Sequence, residues 1–167
     1  MRAKETWVIG VRFMIKLTGL QLAQDAMRKE LEKLQTKKVA LVGIHESAGV
    51  EEKSGQTVAF VGAVNHFGTD KIPARPWLDV GVDSGSEEYL EVIQDGIIEG
   101  ESADKVLEQV GELAVGYTQQ YITDLDSPPN APSTIKRKGS TNPLIDTGNM
   151  RQSVTYAIAD QMPEEGL

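Results

Sequence analysis

Cysteine is absent from this 167-residue chain, which excludes disulfides and thiolate-held metals. Histidine is nearly absent. His45 and His66 stand far apart without a flanking ligand pattern, and both read as surface or helix-end residues rather than catalytic or metal-binding ones. Nothing in the sequence calls for a metal or a cofactor. Also missing is any apolar run near the ~20 residues that a membrane span needs. Trp7–Val11 is too short for a signal-peptide core and lacks a cleavage site, so the chain reads as soluble and made in the cytoplasm. No internal repeat is visible, which argues against a repeat-built host-binding module.

What is present is enough apolar material, 40% of residues, to bury one core. The formal net charge of −8 is unevenly spread. Residues 79–126 carry 13 acids against the single base Lys105, while 1–38 carry nine bases against four acids. Residues 133–151 add Lys136, Arg137, Lys138 and Arg151 against Asp146 alone. Such polarity suits pairing between neighbouring subunits as well as a merely solvated surface. The acidic total argues against tight non-specific DNA binding.

Taken in order, residues 1–13 read as an extension and Met14 as a possible natural start. Strand character follows at Met14–Leu17, then a capping box at Thr18 and Gln21. Leu20, Ala23, Met27, Leu31 and Leu34 recur at helical spacing and predict an amphipathic helix. Val39–Ile44 is a short apolar run, read as a strand buried on both faces. After a polar loop, Thr57 caps a helix to Phe67, with Phe60, Val64 and Phe67 on one face. Pro73 and Pro76 exclude a helix over 68–78 and stiffen Ile72–Pro76. Ser84 and Glu87 form a second capping box for a helix with Leu90, Ile93 and Ile97 inward. Gly100 ends it, and Ser102 caps the next, whose stripe is Val106, Val110, Leu113, Tyr117 and Tyr121. The two form an antiparallel pair over 84–125. Residues 127–132 are a proline-stiffened linker, and 134–139 a basic patch without interleaved aromatics.

Near the end, Leu144 and Ile145 form an apolar anchor before a turn of Asp146, Thr147, Gly148 and Asn149. Gly148 is expected at positive φ, with Asp146 or Thr147 capping a short helical pitch to Ser153. Val154, Tyr156 and Ile158 then alternate as a half-buried strand. The fold predicted is α+β in one domain over 14–160, with 161–167 as a tail. Its small mixed or antiparallel sheet holds Val39–Ile44, Val154–Ile158 and the Met14–Leu17 strand. The N-terminal helix and the 84–125 pair pack it.

Asp-Thr-Gly after an apolar pair is also the signature of aspartic proteases. That chemistry needs two carboxylates sharing one proton, hence a symmetric dimer using Asp146. The reading is disfavoured. Asn149 stands where such proteases have Ser or Ala, no second motif exists, 19 residues follow the motif, and several helices interrupt what should be an all-β chain.

The alternative rests on two ordered motifs. Val64-Asn-His-Phe-Gly-Thr69 with Ile72-Pro-Ala-Arg-Pro-Trp-Leu78 comes first, then Thr134-Ile-Lys-Arg-Lys-Gly139, Pro143-Leu-Ile-Asp-Thr-Gly148 and Arg151-Gln-Ser153. Together they resemble the signatures of tailed-bacteriophage tail-completion, or head–tail joining, proteins. Trp77 replaces the commoner Phe and His66 stands where Glu is frequent. The resemblance implies a structural virion protein of the neck or head-proximal tail end, not an enzyme. It implies a homo-oligomeric ring, six-fold by the same token, around the DNA channel and without sequence-specific DNA contacts. Its neighbours would be connector or stopper proteins and the tail tube or terminator, with assembly in the host cytoplasm. A tail-terminator or other virion subunit is the runner-up. Ile72, Pro73, Arg75, Pro76 and Trp77 are the expected subunit interface, because a stiff segment loses little entropy on docking and Arg and Trp are frequent anchors. The competing expectation is that Trp77 plugs its own core and Arg75 bonds within the chain. Asp146, Thr147, Gly148 and Arg151 are expected to shape a structural turn.

Overall fold

Two strands more than a hundred residues apart meet in an antiparallel pair, with Val39 opposite Ala159 and Ile44 opposite Val154. The computed structural model describes residues 24–29, 32 and 36–161. In chain order the elements are β1 (Val39–Ile44), a 3-10 turn (Glu46–Ala48), α1 (Val58–Phe67), α2 (Trp77–Asp83) and α3 (Ser86–Glu99). Then come α4 (Ala103–Asp124), α5 (Pro132–Lys138), α6 (Asn149–Gln152) and β2 (Val154–Ala159). Among the described residues the sheet has these two strands, and several helices pack around it in a small α+β domain.

The long helix α4 is the central support, touching α2, α3 and both strands. Val58, Trp77, Ile122, Leu144, Met150 and Val154 form the buried cluster, so α1, α2, α4, the Leu144 anchor, α6 and β2 each contribute a side chain. Burying a residue of this size contributes roughly 1.5–3 kcal/mol, which makes six convergent ones the main local driving force. Leu144 and Ile145 thus anchor the segment before the turn, as their pairing predicts.

Two of the local signals that involve one side chain and one backbone group hold. Thr57 Oγ1 accepts from Phe60 N at 3.2 Å and opens α1. Ser102 Oγ accepts from Lys105 N at 3.3 Å and opens α4. α3 and α4 run antiparallel, since Gly96 lies against Val106 while Tyr89 meets Tyr117 edge-on at 6.0 Å.

Packing corrects several other expectations. The α4 stripe is rotated: Val106 is buried as predicted, but the other buried residues are Gly111, Ala114, Thr118 and Ile122, while Leu113 and Tyr117 are only half-buried and Tyr121 is half-buried against the core cluster. Small residues let neighbours come close. A Cβ on Gly81 would lie 2.8 Å from Thr118 Cα, so α2 crosses α4 nearly backbone to backbone. On α3, Leu90 is 58% exposed and Ile93 is exposed too, while Gly96 is the buried residue. α3 has mainly α4 to pack against, and it does so through Gly96 rather than its larger apolar side chains. Phe60 and Phe67 of α1 also point to solvent, because Val58 and Gly62 form the inner face.

Three boundaries differ as well. The segment 68–78 ends in helix, since Pro76 is the N-cap of α2 and Trp77 its first residue. Ser84 closes α2 rather than opening α3; its Oγ donates to Gly81 O at 2.6 Å. The basic patch lies on a helix, α5, begun by Pro132 at a position where a missing N–H costs nothing. β1 is half-buried along its length, not covered on both faces. Residues 24–29 are helical within the predicted 20–34 helix, but Met27 is 68% exposed. The predicted Met14–Leu17 strand, the Thr18–Gln21 capping box and the rest of that helix's apolar stripe lie outside the described residues. No helix among the described residues is long and apolar enough to cross a membrane.

Candidate functional site

The two motif segments, about seventy residues apart in sequence, line one groove. Gly68, at φ +75°, begins the turn that makes this possible: a Cβ there would lie 2.6 Å from Ala74 N. The chain therefore folds back on the end of α1, where Arg75 N donates to Asn65 O at 2.8 Å. Thr69 and Ile72 exchange backbone hydrogen bonds at 2.8 and 3.2 Å and close the loop. This delivers Ile72, Pro73 and Arg75 to one wall.

Past the wall, the two large side chains of the first motif turn inward. Trp77 is 3% exposed and its Nε1 donates to Gly62 O at 3.0 Å. Arg75 is 2% exposed; Nε donates to Pro128 O at 2.9 Å and one terminal nitrogen reaches Pro129 O and Asn130 Oδ1 at 3.4 and 3.3 Å. Both are thus held within their own chain, the arrangement expected if the segment plugs the core. What the segment shows to solvent is Pro73, Ala74 and Pro76, with Ile72 half-buried. Arg75 forms no ion pair among the described residues, and burial pulls its guanidinium below the ordinary value.

Asn130 relays this network to the second motif, since its Nδ2 lies 3.4 Å from both Asn142 O and Pro143 O. Asn142 is a four-bond hub. Its Oδ1 accepts from Leu144 N and Ile145 N, both at 2.8 Å, and its Nδ2 donates to Ile122 O and Thr123 O at the end of α4. Four otherwise unpaired backbone groups are satisfied by one side chain. Lys138 Nζ donates to Asn142 O at 3.1 Å and Pro143 O at 3.3 Å. Burial lowers its pKa, against the raising effect of the Asp146 charge.

The turn behaves only partly as predicted. Gly148 has φ +88° and itself caps α6, without a side-chain cap from Asp146. Thr147 Oγ1 accepts from Asn149 N at 3.3 Å. Asp146 instead pairs with Lys53 at 2.7 Å, and Glu51 lies 3.3 Å from Thr147 Oγ1 and 3.4 Å from Asn149 Nδ2. The 51–53 loop is in this way stapled over the turn. Arg151 reaches Thr123 Oγ1 at 3.2 Å and ties α6 to the end of α4.

The resulting groove has a volume of about 760 Å³. Phe60, Val64, Ile72 and Leu144 give it apolar walls, and Lys53, Lys71, Arg75, Arg137 and Lys138 line it against two acids, Glu51 and Asp146. Neither histidine takes part. His45 Nδ1 accepts from Ser47 N in the 3-10 turn, and His66 packs edge-on near Trp77, with Nε2 3.4 Å from Asp79. Among the described residues no cluster of three His, Asp or Glu side chains is arranged to hold a metal. No protein-family model matches the chain, and no curated protein or solved structure is significantly similar to it.

The hub residues Asn130 and Asn142 escape sequence reading, though Asn142 carries a signal. Asn142 precedes Pro143 and can bond its own chain two residues on, a habit of asparagine at turns.

Proposed function

We propose that this chain is a structural subunit of a tailed-phage virion, of the neck or head-proximal tail end, that assembles as a ring to finish the tail and join it to the head. One observation supports the reading above others: the residues that carry the family resemblance are not scattered. Arg75, Asn130, Asn142 and Pro143 connect the two motifs by hydrogen bonds, and the same segments enclose one groove. A conjunction of this kind is what two parts of one signature should make if both serve the same structure. The first motif would then act mostly from inside, holding the loop's shape, and its outward contribution would come from Ile72, Pro73 and Pro76 rather than from Arg75 and Trp77.

The test is direct imaging. Negative-stain microscopy of the purified full-length chain is expected to show rings with a central channel, and mass by sedimentation should give their copy number. A chain that stays monomeric, and that fails to join tails to filled heads in an assembly extract, would remove the proposal. The tail-terminator reading shares every structural observation and separates in the same extract by whether tail length or head joining fails.

A further inference from the structure

α3 carries a pattern its own fold does not use. Glu87, Glu91, Asp95 and Glu99 follow one another at four-residue steps along the helix, all exposed, and α3 contains no lysine or arginine. Like charges at this spacing oppose helix formation. None of the four forms an ion pair among the described residues. Directly beside them Leu90 and Ile98, the latter 81% exposed, give the same side of the helix an apolar edge. An acidic row with an apolar border is the chemistry of a helix that docks, not of one that is merely solvated.

The groove is its complement. Lys71 and Arg137 are exposed at the groove, Arg75 and Lys138 are recessed in it, and none of the four is ion-paired among the described residues. Phe60, itself exposed, and Ile72 supply apolar surface between them. No residue of α3 lines the groove, so the two surfaces belong to different parts of the subunit.

We propose that the groove of one copy receives the acidic face of α3 from the next copy. The inference rests on the ring reading above and adds the contact that would build it. Because groove and helix are distinct patches, the contact is head-to-tail, and a head-to-tail contact closes into a ring when its rotation permits. A second copy fits better than nucleic acid, because a phosphate backbone would satisfy the cations and leave Phe60, Ile72, Leu90 and Ile98 in water.

Two charge reversals test it in the full-length chain: Lys71→Glu with Arg137→Glu in the groove, and Glu91→Lys with Asp95→Lys on α3. None of these side chains makes a hydrogen bond or ion pair among the described residues, so melting temperatures should stay near the parent value. Sedimentation velocity is expected to show each double variant dissociated, with association at least about 100-fold weaker. Mixed one to one, the two variants should re-form the oligomer by alternating, since one contact is then native and the next carries both reversals. All four substitutions in one chain should restore the oligomer. Rings unchanged in both double variants would overturn this contact while leaving the ring reading intact. A parent chain that is monomeric at every concentration would overturn both. Duplex DNA bound by the parent and lost in the groove variant, with assembly unaffected, would make the groove a nucleic-acid surface and end the proposal.

Discussion

α4 is packed on two sides, and the two contacts are built differently. Against α2 and the sheet, backbone approaches backbone at Gly81 and Thr118, and Thr118 and Ile122 are wholly buried. Against α3, the contact rests on Gly96 beside Val106 and on Tyr89 edge-on to Tyr117, whose hydroxyl donates to Glu88. That hydrogen bond, more than the smaller effects of burial and the acid's charge, raises the Tyr117 pKa. The first contact is complete within the chain. The second leaves Leu90 and Ile98 uncovered. Stability should therefore reside in the first, and association in the second.

Substitutions can break that division. Trp77→Ala removes a buried side chain and its bond to Gly62 O, and should cost about 3–5 kcal/mol in urea unfolding. A much smaller loss would mean that the inner contact is less well packed than its geometry indicates. Gly81→Val forces a side chain against Thr118 backbone, and about 1–3 kcal/mol of destabilisation is expected from overpacking. The same melt would read it, and a neutral result would show α2 free to shift on α4. Asp146→Asn breaks one exposed ion pair with Lys53 and should cost at most about 1 kcal/mol. Peptide cleavage at acid pH that disappears in this variant would revive the protease reading of Asp146. Ile98→Ser, on the outer contact, should change stability by no more than about 0.5 kcal/mol while weakening association. A loss comparable to that of Trp77→Ala would erase the distinction between the two sides.

Legibility follows the range of the interaction. Thr57 and Ser102 announce their helices because a cap needs only a hydroxyl and an N–H three residues on. That β1 and β2 share a sheet was readable from their short β-branched and alternating runs, whereas their direct pairing was not. The α4 face was misread because glycine, alanine and threonine do not register as core in an apolar count, yet they are what admits α2. Pro76 and Pro132 read as breakers and proved to be starts, for proline interrupts a helix only from within. The groove had one local signal, Asn142 before Pro143, and it does not say what it joins. Its walls are assembled by Asn130 and Asn142, whose partners lie from two to twenty residues away or on another segment entirely.

The pairing of β1 and β2, the two strands of the sheet among the described residues, has a consequence of its own. In an antiparallel pair only alternate N–H groups on each strand point at the partner, so β1 and β2 each direct every second amide away from the ladder. Those amides exchange with solvent unless a further strand, from this chain or a neighbour, accepts them. Protection along Val39–Ile44 should consequently alternate residue by residue in the isolated subunit. Uniform protection that appears only on assembly would mark that edge as a seam between copies, recorded by deuterium uptake alone.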